Sequence, residues 1–279
     1  MQKEGWPPLT AAELLVLRDP NKAQGAAALK VTLMELLGQR ALELRRDPGG
    51  KAKDDRLVPA PRAPGQSALR PPQVAALETV AMASSDGQGA TIAQTVARAR
   101  QSYGADMARF QDTYVIPPLL ARGLVETRQE KRLWIFTVTR THRTPAGEQA
   151  LAELETLLTR AREIPGMLER DSGQALALAL SLGGAVLLLD ELRPHYAALS
   201  EEMRRTVAAG GAGGDSFLWV SSATDIGGAS DAFDGVSSLD SGWGAGGGDS
   251  GGWGGDAGSG GGDGGGGGGD GGGGGGSGT

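Results

Sequence analysis

Between Ala23 and Leu37 the apolar residues Leu29, Leu33, Leu36 and Leu37 recur at three- and four-residue steps, and Gly38 ends the run. That is the period of one helix face, so the spacing predicts a helix. A shorter helix precedes it, over Ala11 to Leu17. Thr10 stands at its N-cap and Glu13 three residues on completes a capping box. The pattern then shifts to short extended runs, ALELRR (41–46) and RLVPA (56–60), around the charged turn DPGGKAKDD. Two short strands about a long tip predict a hairpin.

After the proline-rich stretch 61–72, which predicts a linker, the order repeats. A helix is expected over Gln73–Met82, and another capped by Thr91 and closed by Gly104. A further helical segment is expected over Ala105–Thr113, and a short one opened by Pro117-Pro118 and closed by Gly123. Next, Val125 and Thr127, then Trp134, Phe136 and Val138, alternate with their neighbours around a charged tip at Gln129–Arg132. Strict alternation predicts a β-hairpin wing. Thr144 and Pro145 then start a helix whose Leu151, Leu154, Leu157 and Leu158 form an apolar stripe.

These elements define the expected fold class: mainly α with small β-hairpins, built as tandem winged-helix-like units plus a helical hairpin and a disordered Gly-rich tail. The expected boundaries are 9–60 for the first unit, 61–72 for the linker and 71–163 for the second unit. The helical hairpin occupies 164–208 and the tail 210–279. Of 48 glycines, 26 fall between Ser241 and Thr279, where almost nothing is available to bury. Aspartates at 249, 256, 263 and 270 repeat every seventh residue without the aliphatic positions that a calcium-binding roll needs. Polyglycine also cannot hold a coiled coil. A flexible acidic tail is the reading that remains.

The charge divides at the same point. All 27 Lys and Arg precede Gly210, while nine Asp and no basic residue follow it, so the net −6 combines a mildly basic body with an acidic tail. There is no cysteine, which excludes disulfides and thiolate chemistry. The N-terminus MQKEGWPPLT lacks the apolar region of a signal peptide. The run Ala175–Leu189 is as apolar as a membrane segment. As a helix, however, it would rise about 22 Å, short of the roughly 30 Å hydrocarbon core, so a buried helix is expected. Small residues Ala177, Ser181 and Ala185 make a ridge on it. That ridge serves internal packing, a homodimer or a membrane protein partner.

The residues PLLARGLV (118–125), a hairpin, and RTPAGEQAL (143–151) resemble the end of a winged helix-turn-helix of the MarR and PadR regulator classes. In those classes a similar Thr-Pro-x-Gly start follows the wing. More broadly, the order LTAAE (9–13), GQRALEL (38–44), RPPQ (70–73), RGLVE (122–126), the 174–208 helices and a Ser/Gly-rich tail is similar to the cytosolic half of an uncharacterised bacterial family of predicted membrane proteins. That resemblance implies a cytoplasmic location, or membrane association on the cytoplasmic side, with a membrane surface or membrane protein as partner.

Between Arg98 and Arg143, nine basic residues outnumber four acidic ones. Arg122, Arg128, Lys131, Arg132, Arg140 and Arg143 are the candidate nucleic-acid contacts, on the expectation that a wing touches phosphates of duplex DNA. The helices before each hairpin argue the other way. The first offers only Lys30, Thr32, Glu35 and Gln39 for base edges, and Pro117-Pro118 interrupts the second. Trp219, Phe233 and Trp243, set among Ser, Asp and Gly, are candidate partner-docking residues, and the acidic tail is expected to fold back onto the wing. His142 and His195 show no triad pattern, and no phosphate loop, metal set or cofactor motif appears. The expected role is non-catalytic, an interaction or scaffold protein with a protein partner, membrane-proximal in one version. The alternative is a DNA-binding transcriptional regulator that uses the second wing.

Overall fold

The computed structural model describes residues 9–22, 24–45, 54–61, 68–84, 87–132, 136–196, 198–199, 201–202 and 205. Half of the expected linker (62–67) and the whole tail, with Trp219, Phe233 and Trp243, lie outside the described residues. The fold is mainly α with small antiparallel hairpins.

Helix α1 (Ala11–Arg18) starts where its capping box predicts. Thr10 Oγ1 accepts from the Glu13 N–H at 3.2 Å, and Glu13 Oε2 accepts from the Thr10 N–H at 2.7 Å. Helix α2 (Gly25–Gly38) is buried on nearly every side, including at Lys30, Thr32 and Glu35. A helix apolar around its whole circumference belongs in a core. It packs against α1, strand β1 (Leu42–Arg45) and helix α3 (Pro71–Ala83). Strand β2 (Arg56–Pro59) pairs with β1, Leu44 opposite Leu57. Strand β3 (Ala90–Thr91) pairs with β2, Leu57 opposite Ala90. One sheet therefore takes strands from both sides of the expected linker, and the hydrophobic core runs through both.

Helix α4 (Ile92–Tyr103) begins with a second capping box, Thr91 with Gln94. Helix α5 (Ala108–Phe110), a π turn (Gln111–Val115) and helix α6 (Ile116–Ala121) follow as one unbroken helical path. The interruption expected at Pro117-Pro118 is thus replaced by a widened turn. Prolines cannot donate to the preceding turn and their rings crowd its carbonyls, and the i→i+5 spacing relieves that crowding. Around the bend Tyr103 packs edge-on against Phe110 and Tyr114, which are tilted on each other, with ring centres 5.4–6.0 Å apart.

The hairpin expected as a wing, and called so below, is strand β4 (Val125–Arg132) paired with β5 (Phe136–Arg143). The tip expected at Gln129–Arg132 is corrected. Those residues are paired strand, opposite Phe136–Thr139, and the connection falls at 133–135, outside the described residues. Alternation alone could not show how far the ladder extends, because charged residues occupy a solvent-facing strand as readily as a loop.

Helix α7 (Pro145–Ala161) is capped by Thr144, whose Oγ1 accepts from the Gly147 N–H and donates to the Gly123 carbonyl. Helices α8 (Ile164–Leu168) and α9 (Ser172–Leu182) follow. The chain then tightens into 3₁₀ turns over Gly183–Leu188 and Asp190–His195. Within the segment 164–208, expected as a helical hairpin, the Ala185–Leu189 stretch is a buried plug packed against α1, α2 and α7. Among the described residues no helix is long and apolar enough to cross a membrane. The recognition drawn from a family of predicted membrane proteins is corrected on that ground: the apolar run 175–189 breaks at Gly183-Gly184 and spends its side chains on this core.

Two close approaches fix the layout. At Gly147 a Cβ would lie 1.9 Å from the Leu124 carbonyl oxygen, and at Gly25 one would lie 2.1 Å from the Met107 carbonyl oxygen. At both places a helix start touches backbone from elsewhere in the chain, so a side chain would force the elements apart. Gly147→Ala should lower stability by about 3 kcal/mol, the upper end of overpacking costs. At Gly166 a Cβ meets only the end of the Arg170 side chain, so Gly166→Ala should cost nothing measurable. Urea unfolding followed by circular dichroism checks the pair, and equal midpoints would refute the close-approach argument.

Candidate functional site

The helical path before the wing presents Arg109, Asp112, Thr113, Pro117, Leu120 and Ala121 to solvent. Leu120 is 37% exposed. Toward the wing this surface is apolar. Away from it stand the exposed Arg109, Asp112 and Thr113.

Among the described side chains of the hairpin, charge is compensated. One face takes Glu126, Arg128 and Glu130 from β4 and Arg140 and His142 from β5, because directly paired residues project to the same side. Arg128 stands opposite Arg140, a repulsive pairing that the neighbouring carboxylates offset. Arg128 pairs with Glu126, Arg140 Nε lies 3.4 Å from Glu130, and His142 Nε2 lies 2.9 Å from the other Glu130 oxygen. These side chains are exposed or partly exposed, so each pair contributes under about 1 kcal/mol. The opposite face holds Thr127, Gln129, Thr139 and Thr141.

Arg143 turns away from the wing surface. It donates to the Leu17 and Arg18 carbonyls at the end of α1, at 3.3 and 3.0 Å, and pairs with Glu148 at 2.8 Å. Cationic donors at a helix C-terminus satisfy carbonyls that the helix leaves open. Beside it, the Asn21 amide exchanges two hydrogen bonds with the Thr141 backbone, at 2.8 and 3.0 Å, and so extends β5 by one partner. Gln111 does the equivalent on the π turn: its Oε1 accepts from the Gln24 N–H at 2.8 Å and its Nε2 donates to the Lys22 carbonyl at 3.3 Å. The wing and the path before it are therefore held by the α1–α2 loop.

Arg122 goes deeper still. Its guanidinium lies 3.9 Å from Glu13 Oε2, and Arg70 donates to the same oxygen at 3.0 Å. The Glu13 side chain is fully buried and those of Arg70 and Arg122 mostly so. Burial pulls the Arg122 guanidinium below its ordinary pKa, and the Glu13 charge opposes that fall. On α2, Glu35 is also buried and its carboxyl is pushed up to about 7, chiefly by loss of water. Hydrogen bonds from the Gln73 side chain and the Ala11 backbone work against that rise. Gln73 also donates to Gln39 at 3.2 Å and accepts from the Arg70 N–H at 3.0 Å. Glu13 Oε1 and Glu35 Oε2 are buried without a hydrogen-bond partner.

Of the six basic residues singled out in the sequence, Arg128 and Arg140 share one wing face, while Arg122 and Arg143 serve the interior and the α1 terminus. The side chains of Lys131 and Arg132 lie outside the described ones. The Glu13–Glu35–Arg70–Gln73 cluster was not anticipated. Its signal was Glu35 within LMELL, a carboxylate among residues that all belong to a core helix. Among the described residues no three His, Asp or Glu side chains converge to hold a metal. Compared with models of protein families and with curated proteins, the chain matches none.

Removing Arg122 weakens the compensation of a buried carboxylate, whereas removing Arg128 breaks an exposed pair. Arg122→Met should therefore cost about 1–2 kcal/mol and Arg128→Ala less than about 0.5 kcal/mol, measured by urea unfolding. An Arg122 variant as stable as the wild type would make its inward pose incidental.

Proposed function

We propose that the protein is a non-catalytic interaction module, two winged-helix-like units sharing one core, that binds a protein partner through the face before the second wing. The carrying observation is the exposed surface of that helical path, where Pro117, Leu120 and Ala121 stand in the place from which a base-reading helix would offer long polar side chains. Such a surface gains affinity by burying apolar area against a complementary apolar patch. Among the described side chains, Arg128 and Arg140 are paired with carboxylates, which favours a polar rim over a phosphate-binding stripe. In the first unit α2 occupies the corresponding position and is inside the core, so it has no face to present. Strand β3 pairs with the first unit's hairpin, which makes the two units one platform for a partner.

The test uses the full chain with a photo-crosslinking phenylalanine at Leu120 or, as a control on α7, at Thr156. The expected result is a discrete protein adduct from position 120 and none from 156. Duplex DNA anisotropy should stay flat from about 300 down to about 50 mM salt. Salt-steep DNA binding that falls when Arg128, Lys131 and Arg132 become Ala would replace this reading with the regulator.

A further inference from the structure

We propose that the junction of α1, α2 and α3 is a proton-closed latch, in which one proton held on Glu35 keeps α3 seated against the first two helices. The geometry is a buried meeting of two carboxyl groups from different helices. Glu13 Oε2 is engaged by the Thr10 N–H and by Arg70, with Arg122 behind it. The Glu35 carboxyl shares Gln73 with this network, and the Glu13 charge disfavours its ionised form. Each carboxyl keeps one buried oxygen without a partner. A proton on Glu35 removes the charge that burial penalises and leaves Glu13 with the guanidiniums. An ionised Glu35 would need a hydrogen-bond donor for Oε2 that the described surroundings do not supply.

The charged surroundings are few. From α1 comes Glu13, and from the start of α3 come Arg70 and the neutral Gln73. Arg18 on α1, Glu78 on α3, Glu43 and Arg45 on β1, Arg109 on α5 and Asp112 in the π turn are exposed. Tyr114 in that turn is half-buried, and the 3₁₀ segment Gly183–Leu188 has no titratable residue. Lys30, buried on α2 itself and engaged elsewhere, sits about 140° around the helix from Glu35.

The linkage has a definite sign. With the folded carboxyl moved from 4.5 to about 7, the native state holds more protons than the unfolded state between those values. Stability from this group is thus greatest below about 4.5, falls as pH rises through the window, and levels off above about 7. The unfolding constant should rise roughly 300-fold across the window from this group alone, about ten-fold for each pH step of one between the two values. Other groups titrate too, so the quantity to read is the difference between the wild type and Glu35→Gln.

The experiment is a pH titration of the full chain carrying ¹³C-labelled Glu carboxyls, with amide exchange of α3 measured at low and high pH in parallel. The expected result is one Glu resonance with a midpoint near 7, absent in Glu35→Gln. The α3 amides should open more readily at high pH, after correction for intrinsic exchange, in the wild type but not in the variant. Gln73→Met keeps the idea falsifiable if Glu35→Gln fails to fold. It removes a bond that favours the charged carboxyl, so the midpoint should rise. A wild-type spectrum in which every Glu titrates below 5.5 would overturn the proposal, as would α3 exchange that does not respond to pH.

Discussion

The fully buried Glu13 carboxylate is the constraint around which the rest of the molecule is arranged. A carboxylate without water is tolerated only when charge and hydrogen bonds replace the lost hydration. Here the replacements come from one local group and two distant ones. Thr10 supplies the backbone N–H of the capping box, Arg70 supplies a guanidinium from the N-cap of α3, and Arg122 adds a second from the end of α6. Satisfying one side chain therefore positions the start of α1, the entry to α3 and the exit toward the wing. A local device for starting a helix has become the meeting point of the two halves.

Once those halves are tied, the remaining contacts favour a single body. β3 completes the sheet begun by β1 and β2, and Asn21 and Gln111 stitch the α1–α2 loop to the wing and the π turn. The apolar plug at 185–189 fills the space between α1, α2 and α7. That arrangement explains why α2 is so poor in polar surface, since it is enclosed by elements from both halves. It also leaves Leu120, on the helical path before the hairpin, reaching solvent beside charged strands whose described side chains are paired, which is why the interaction reading centres there.

Much of the local structure was legible because its determinants lie within four residues of one another. Thr10 with Glu13, Thr91 with Gln94, and Thr144 with Pro145 each mark a helix start by side-chain chemistry that needs no tertiary partner. The hairpins were legible from alternation. What the sequence did not disclose depends on partners far along the chain. The pairing of β3 with β2, the break of the apolar run at Gly183-Gly184 and the inward turn of Arg122 are all decided by the core. Counting arginines near the wing treated Arg122 and Arg143 as surface charge, whereas carbonyls at a helix end and a buried carboxylate had the stronger claim on them. Glu35 could have been noticed as a carboxylate inside an aliphatic helix, but its neighbours on α1 and α3 were not readable from spacing.

The most direct test of the shared anchor is a double-mutant cycle on Glu13→Gln and Arg70→Met, with unfolding by urea followed by circular dichroism. If one ion pair ties α3 to α1, the double variant should be more stable than the sum of the single losses predicts, with a coupling of about 2 kcal/mol or more. Losses that add to within about 0.3 kcal/mol would show that the two residues contribute separately, and that this ion pair is not what ties α3 to α1.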